Sequence, residues 1–355
     1  MSQATPLAAP LLDADGLPVL QHLSIQTDWL NKRHEETLEP TLPIVDPHHH
    51  LWERNGGYLL DELLADLNSG HLIEATVYAQ CGYAYRQQGP LALQPVGETE
   101  FVAEFTRQAQ QRGAPQQVCA GIVGHADMTL GEAVGEVLQA HVTAGAGRFR
   151  GIRHITARHD AFNGSLLGRP PAELMYQPAF RRGLAQLQKM GLTFDAWLYH
   201  TQIHEVLDLA RAMPDLPIVL NHVGGPLGVG PYVGQRDAVF SAWHASMKDL
   251  AQCPNVRVKL GGMSMALCGF EFHQQALPPS SEELATAWAP YLQTAIELFG
   301  AERCMFESNF PVDKAMCSYG VLWNAFKRIS AGASDNEKAW LFKGCANQFY
   351  QLGLA

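Results

Sequence analysis

The sequence predicts an α/β fold, a (β/α)8 TIM barrel with an N-terminal arm. Three observations point there. Eight apolar runs recur, each short enough for a buried strand; helix-like stretches lie between most of them; and the first run is followed by histidines, not by a glycine-rich phosphate loop. Strands alternating with single helices pair in parallel and need a helical outer layer, so eight such units most economically close into a barrel. An open doubly wound sheet is the alternative, but no G-x-G-x-x-G or Walker sequence follows the first strand.

Residues 1–43 carry proline and polar residues without sustained periodicity and read as an extension, and residues 44–355 read as the barrel. Strands are expected to start near Ile44, Leu72, Val118, Phe149, Leu192, Pro217, Asn255 and Cys304. Helices are expected over 98–112, 131–145, 178–190, 201–212, 236–252 and 282–299, with 318–330 and 334–351 closing the chain. Only the helical stretch after the first strand, near 58–68, is short. Glycine- and proline-rich loops at 157–177, 225–235 and 264–281 each follow a strand, where barrels build their active sites, so their length predicts a covered pocket.

Composition excludes several classes. With 355 residues, 47% hydrophobic and 17% charged, the chain can bury a large core and is far too apolar for disorder. A net charge of -10 without any basic cluster argues against nucleic acid as a partner. No run approaches a membrane span, and the first residues lack the basic and apolar regions of a secretory leader, so a soluble, unexported protein is expected. Seven scattered cysteines without a C-x-x-C fit reduced thiols and a cytoplasmic location.

The richest motif is Asp46-Pro-His48-His49-His50-Leu-Trp52, ending the first strand. Side chains alternate along a strand, so His48 and His50 share a face on which two imidazoles can hold one divalent metal, while His49 points away. His222, which follows the sixth strand and precedes a glycine turn, is the third candidate ligand. His200 ends the fifth strand similarly; the phase of that strand turns inward either Asp195, Trp197 and Tyr199, or His200. Arg153, ending the fourth strand beside His154, is a buried cation that suits a substrate carboxylate or a structural ion pair. No lysine lies in that strand, which argues against a carbamylated lysine bridging two metals and leaves a single-metal or metal-free site. His125, Asp127 and Lys259 end strands three and seven as supporting positions, Lys259 being also a natural partner for an interior acid. In the eighth strand, alternation places Glu307 and Asn309 on one face.

Taken together, DPHHHLW, GIRH, FDAWLYH, NHVGGP, VKLGG, MFESNFPVDK and ANQFYQL, from about Ile44 to Tyr350, resemble the amidohydrolase superfamily. The resemblance is to its amidohydrolase-2 branch of metal-dependent barrel hydrolases, which includes sugar lactonases and 2-pyrone-4,6-dicarboxylate lactonase. It implies that His48, His50 and His222 form the metal corner or its remnant and that Arg153 binds an anionic substrate. One departure stands out: where the family usually has a strand-eight aspartate as ligand and general base, this chain has Asn309, and an amide cannot be the base. Glu307 and Asp313 are the nearest acids that could replace it.

The expected activity is hydrolysis of a lactone or related cyclic ester of a small carboxylated compound. One divalent metal, zinc first with iron or manganese as alternatives, or its histidine remnant would polarise the carbonyl. Arg153, His154, Tyr199 and Trp52 are the candidate substrate contacts, and Glu307, Asn309 and Asp313 the candidate catalytic positions. Alternatives are a metal-dependent decarboxylase or hydratase of an aromatic-derived acid, an iron-dependent oxygenase, and a catalytically reduced barrel serving as a binding or partner subunit. Homo-oligomerisation is left open.

Overall fold

In the computed structural model, which describes residues 11–20, 22–164 and 168–355, eight strands form one parallel sheet in chain order. They are β1 (Pro43–His49), β2 (Leu72–Ala79), β3 (Gln117–Gly124), β4 (Phe149–Ile155), β5 (Thr193–Trp197), β6 (Ile218–Leu220), β7 (Val256–Leu260) and β8 (Cys304–Phe306). The circle closes where His49 bridges Phe310 and His50 N–H donates to the Phe310 carbonyl at 2.7 Å. The architecture is the (β/α)8 barrel, so every strand delivers its C-terminal residue to the same mouth.

Helices separate the strands: α1 (Thr27–Leu30) in the arm, then α2 (Leu60–Leu67), α3 (Val96–Gln111), α4 (Val134–Ala144), α5 (Pro178–Lys189), α6 (Ile203–Ala212), α7 (Arg236–Leu250), α8 (Ser281–Phe299) and α9 (Tyr319–Ile329). The expected closing helix at 334–351 is divided, with α10 (Asp335–Ala339) and α11 (Cys345–Phe349) joined by a wider helical turn. Ser280 starts α8 with a reciprocal cap, its hydroxyl accepting from Glu283 N–H while the Glu283 carboxylate accepts from Ser280 N–H at 2.7 Å.

Two apolar layers hold the barrel. Outside the sheet, the large core packs strands against helices through residues such as Ile152, Phe194, Trp243 and Trp288. Inside, small and branched residues (Val45, Ala75, Val77, Val219) meet Phe349 and Tyr350, so the C-terminal segment plugs the barrel from below. No helix among the described residues is long and apolar enough to cross a membrane.

The arm lies across the mouth. Leu20 N–H donates to the Asn163 carbonyl at 2.8 Å, the Trp29 indole to Gln275 O at 2.9 Å, and Arg33 to Pro278 O at 3.0 Å. Further along, Glu35 accepts from Ser281 N–H at 2.7 Å, and Lys327 of α9 donates to the carbonyls of Leu38 and Glu39 at 2.7 and 2.9 Å. Parts of the predicted arm and of the 157–177 loop, residues 1–10, 21 and 165–167, lie outside the described residues.

Candidate active site

The site begins with β1. Its alternation sends His48 and His50 inward, with their Nε2 atoms 3.3 Å apart, and turns His49 outward to Thr76 Oγ1 at 2.9 Å. His222 arrives from the turn after β6, where His222 and Val223 both have positive φ (54° and 47°), an unfavourable geometry for side-chain-bearing residues and most of all for branched valine. Glycine pays for that approach on the neighbouring strand: a Cβ on Gly262 would sit 2.6 Å from the His222 side chain. One on Gly261 would collide with the Glu307 carbonyl oxygen.

Hydrogen-bond polarity assigns each imidazole. Carbonyls and carboxylates only accept, so His50 Nδ1 donates to Ala79 O at 2.7 Å and His222 Nδ1 donates to Glu307 Oε1 at 2.6 Å. His48 Nδ1 lies 2.9 Å from Glu307 Oε2 and 3.2 Å from the Lys259 ammonium, while its Nε2 lies 3.1 Å from the Arg153 guanidinium, so cationic donors face both of its ring nitrogens. His50 and His222 therefore carry their free lone pair on Nε2. Burial, reinforced for His48 by the Lys259 charge, holds the imidazoles of His48 and His50 well below their ordinary pKa; His222 is also lowered by burial, with Glu307 pulling the other way. They are neutral, as metal ligands must be.

This arrangement fits a divalent cation. Nitrogens bound tetrahedrally at about 2.1 Å lie roughly 3.4 Å apart, close to the 3.3 Å between His48 and His50 Nε2. The Nδ1 atoms of His50 and His222 are each held by an acceptor behind them, as those of ligating histidines usually are. His48, His222 and Glu307 also offer ligand atoms within 4.8 Å of one another; Glu307 Oε1 accepts from His222, and Oε2 makes no hydrogen bond among the described residues. Arg153 is the competitor, since a guanidinium and a metal cannot share the His48 Nε2 lone pair.

Below the imidazoles lies a closed ion pair. Lys259 donates to Asp195 at 2.8 Å and to Pro47 O at 2.9 Å, and Asp195 also accepts from Asn221 at 3.0 Å and from the Tyr350 hydroxyl at 2.9 Å. This settles the phase of β5: Asp195 faces the interior, and Trp197 faces the cavity. Arg153 is different. It is the register partner of Asp195 and is 4% exposed, yet among the described residues it makes no ion pair; it donates to His48 and to the Gln80 carbonyl, and its Nε has no partner.

Other predicted positions fall elsewhere. His200 is not among the imidazoles: it opens the turn after β5, where Nδ1 accepts from Leu227 N–H at 3.3 Å and its ring meets Tyr232. His154 points out of the barrel, between His125 and Phe180, as its alternation with Arg153 requires. Tyr199 packs behind the wall against Phe162 and Trp197, and Trp52 lines the cavity, stacked on His50 at 5.6 Å. Glu307 and Asn309 do not share a face, because β8 stops at Phe306 and Asn309 takes φ 53°. Asn309 borders the cavity but donates to Asp313 at 2.8 Å, and Asp313, its carboxyl raised well above the ordinary range by burial, sits behind it against Ser264 N–H.

The cavity reaches beyond the sequence reading. Leu20, His22 and Leu23 of the arm close it from above, and Trp197, Met265 and Leu267 line its sides. The His22 ring meets Trp52 edge-on at 5.9 Å; burial pushes its pKa down to about 4, and its Nδ1 has no partner. An aperiodic arm carries no pattern that would mark these residues. Cys81 also touches the cavity, but burial pushes its thiol up to about 12, so it is no nucleophile.

Residues 45–352 match the amidohydrolase family Amidohydro_2. The uncharacterized protein y4mH of Sinorhizobium fredii is 34% identical, over 88% of this chain and 99% of its own. An L-fucono-1,5-lactonase of Burkholderia ambifaria is 26% identical, over 87% of this chain and 95% of its own. The crystal structure of a Burkholderia multivorans amidohydrolase with bound zinc shares the fold, with a TM-score of 0.66 and 22% identity over 87% of this chain and 99% of that one.

Proposed function

The chain belongs to the amidohydrolase family, and on that premise we propose that it hydrolyses a lactone or related cyclic ester of a small carboxylated compound, with one divalent metal, zinc first, held by Nε2 of His48, His50 and His222. The observation that carries the reading is the convergence of three neutral imidazoles, two of them braced through Nδ1 by an acceptor, beside an arginine without an acid partner among the described residues. The fucono-lactonase likeness supports the bond type. A bound metal would polarise the lactone carbonyl and acidify water.

The chain's own residues do the rest. Arg153 turns from His48 Nε2 to the substrate carboxylate, which a planar guanidinium grips in a bidentate pair. Trp52 and Trp197 hold the ring and keep bulk water out. Among the described residues no carboxylate lines the cavity, so the proton of the attacking water passes to an imidazole, and His22, with its free Nδ1, is the one not needed as ligand. Water adds to the acyl carbon, the acyl carbon–ring oxygen bond breaks, and the released oxygen takes the proton.

A second reading follows from the Arg153–His48 hydrogen bond, which occupies a ligand lone pair. In it the site works without metal: Glu307 braces His222 Nδ1, and His222 Nε2 is the base. One experiment separates the two and tests both. Metal content of the purified protein is measured beside acid release from a panel of carboxylated lactones, for the native chain and for His50→Ala. The first reading expects about one zinc per chain, lost in His50→Ala together with activity. Metal-independent turnover selects the second, and no turnover of any lactone overturns both.

A further inference from the structure

The cavity wall is divided by chemistry. Arg153, His50 and His222 gather on the barrel side, while the remaining wall is mainly apolar, with Trp197, Met265 and Leu267 from the loops and Leu20 and Leu23 from the arm, and His22, Ser264 and Asn309 as its few polar side chains. A sugar lactone presents a hydroxyl on nearly every ring carbon, and each needs a donor and an acceptor once buried. Among the described residues no carboxylate lines this cavity. Two of its unpartnered atoms, Trp52 Nε1 and Arg153 Nε, are donors only; they satisfy a carboxylate or a lactone carbonyl completely, whereas a hydroxyl that accepts from them still needs an acceptor for its own proton.

We propose that the N-terminal arm is part of the substrate site and that, through Leu20 and Leu23, it sets the site for a lactone whose ring carries alkyl or aryl groups in place of hydroxyls. This rests on the lactone-hydrolase reading for the bond cleaved, and adds the class of ring. The arm is fastened where such a role needs it, at Asn163 in the loop after β4 and at Gln275 and Pro278 in the loop after β7. It precedes the stretch that matches the family, which starts at residue 45, so the selectivity belongs to this chain's own extension.

The test uses the full chain and two matched pairs of probes. Benzoate and gluconate each carry one carboxylate and differ in ring against hydroxyls; titration calorimetry should find benzoate bound at least about 100-fold more tightly, the discrimination that mismatched polar groups reach. Dihydrocoumarin and glucono-1,5-lactone are both six-membered lactones, and kcat/KM should favour the first by a similar factor. Leu23→Asn, with Leu20→Asn as a second variant should the first not fold, should narrow both ratios below tenfold. Equal affinity for benzoate and gluconate overturns the inference, as do ratios unchanged in both folded variants. Benzoate preferred by a chain that hydrolyses no lactone sinks the hydrolase reading and leaves the apolar site standing.

Discussion

Two cations lie inside this barrel on different terms. Lys259, fully buried, is neutralised by Asp195 and given a carbonyl besides, and Asp195 is satisfied in turn by Asn221 and Tyr350. Arg153, almost as buried and in register with the same aspartate, receives no carboxylate among the described residues and keeps an unpartnered Nε. An ionised group closed off by its partners serves the fold, and one left open faces the place where a ligand completes it. The difference lies in what the neighbouring strands present and not in depth.

Three substitutions probe that contrast, from the largest effect to the smallest. Glu307 joins the two regions, standing near the ion pair while holding His48 and His222 toward the cavity. Glu307→Gln keeps the volume but gives His222 a neutral amide in place of a carboxylate and removes the negative charge beside His48, and kcat should fall by about 10³–10⁴-fold with circular dichroism unchanged. A loss under tenfold would make the carboxylate a space-filler. Lys259→Met strands Asp195 as an unpaired buried charge and should cost about 3–5 kcal/mol in denaturant unfolding. Adding Asp195→Asn should recover part of that loss; no recovery would mean that the pair is not what stabilises the floor. Arg153→Met breaks no ion pair, so its stability cost should stay near 1 kcal/mol, in the range of a lost hydrogen bond. Turnover of a carboxylated lactone should drop well beyond that of its methyl ester, and equal drops would return Arg153 to a structural role.

The barrel was legible because its signals are local. Apolar runs such as Ile218-Val-Leu220 begin within a residue or two of where the strands begin, and period-two alternation separated His48 and His50 from His49. Alternation failed where the strand itself ends: beyond Phe306 the chain turns through a positive φ at Asn309, so Glu307 reaches the imidazoles while Asn309 turns to Asp313. His200 misled for a similar reason, since it stands past the end of β5 in a turn, where period two no longer applies. The arm was opaque. Leu20, His22 and Leu23 form no periodic pattern, and only tertiary docking brings them over the cavity.

That docking also sets an order of events. The arm's anchors are among the most sequence-distant contacts in the molecule, Glu35 to Asn324 and Leu38 to Lys327 each spanning 289 residues. Contacts of such separation pay their loop-closure entropy before they return anything, and high contact order slows folding. The arm leaves the ribosome long before its docking sites on α8 and α9, so until almost the whole barrel has emerged it can hold only the Asn163 loop. Its seat is completed late, and the cavity acquires its full cover only in a chain that has otherwise nearly finished folding.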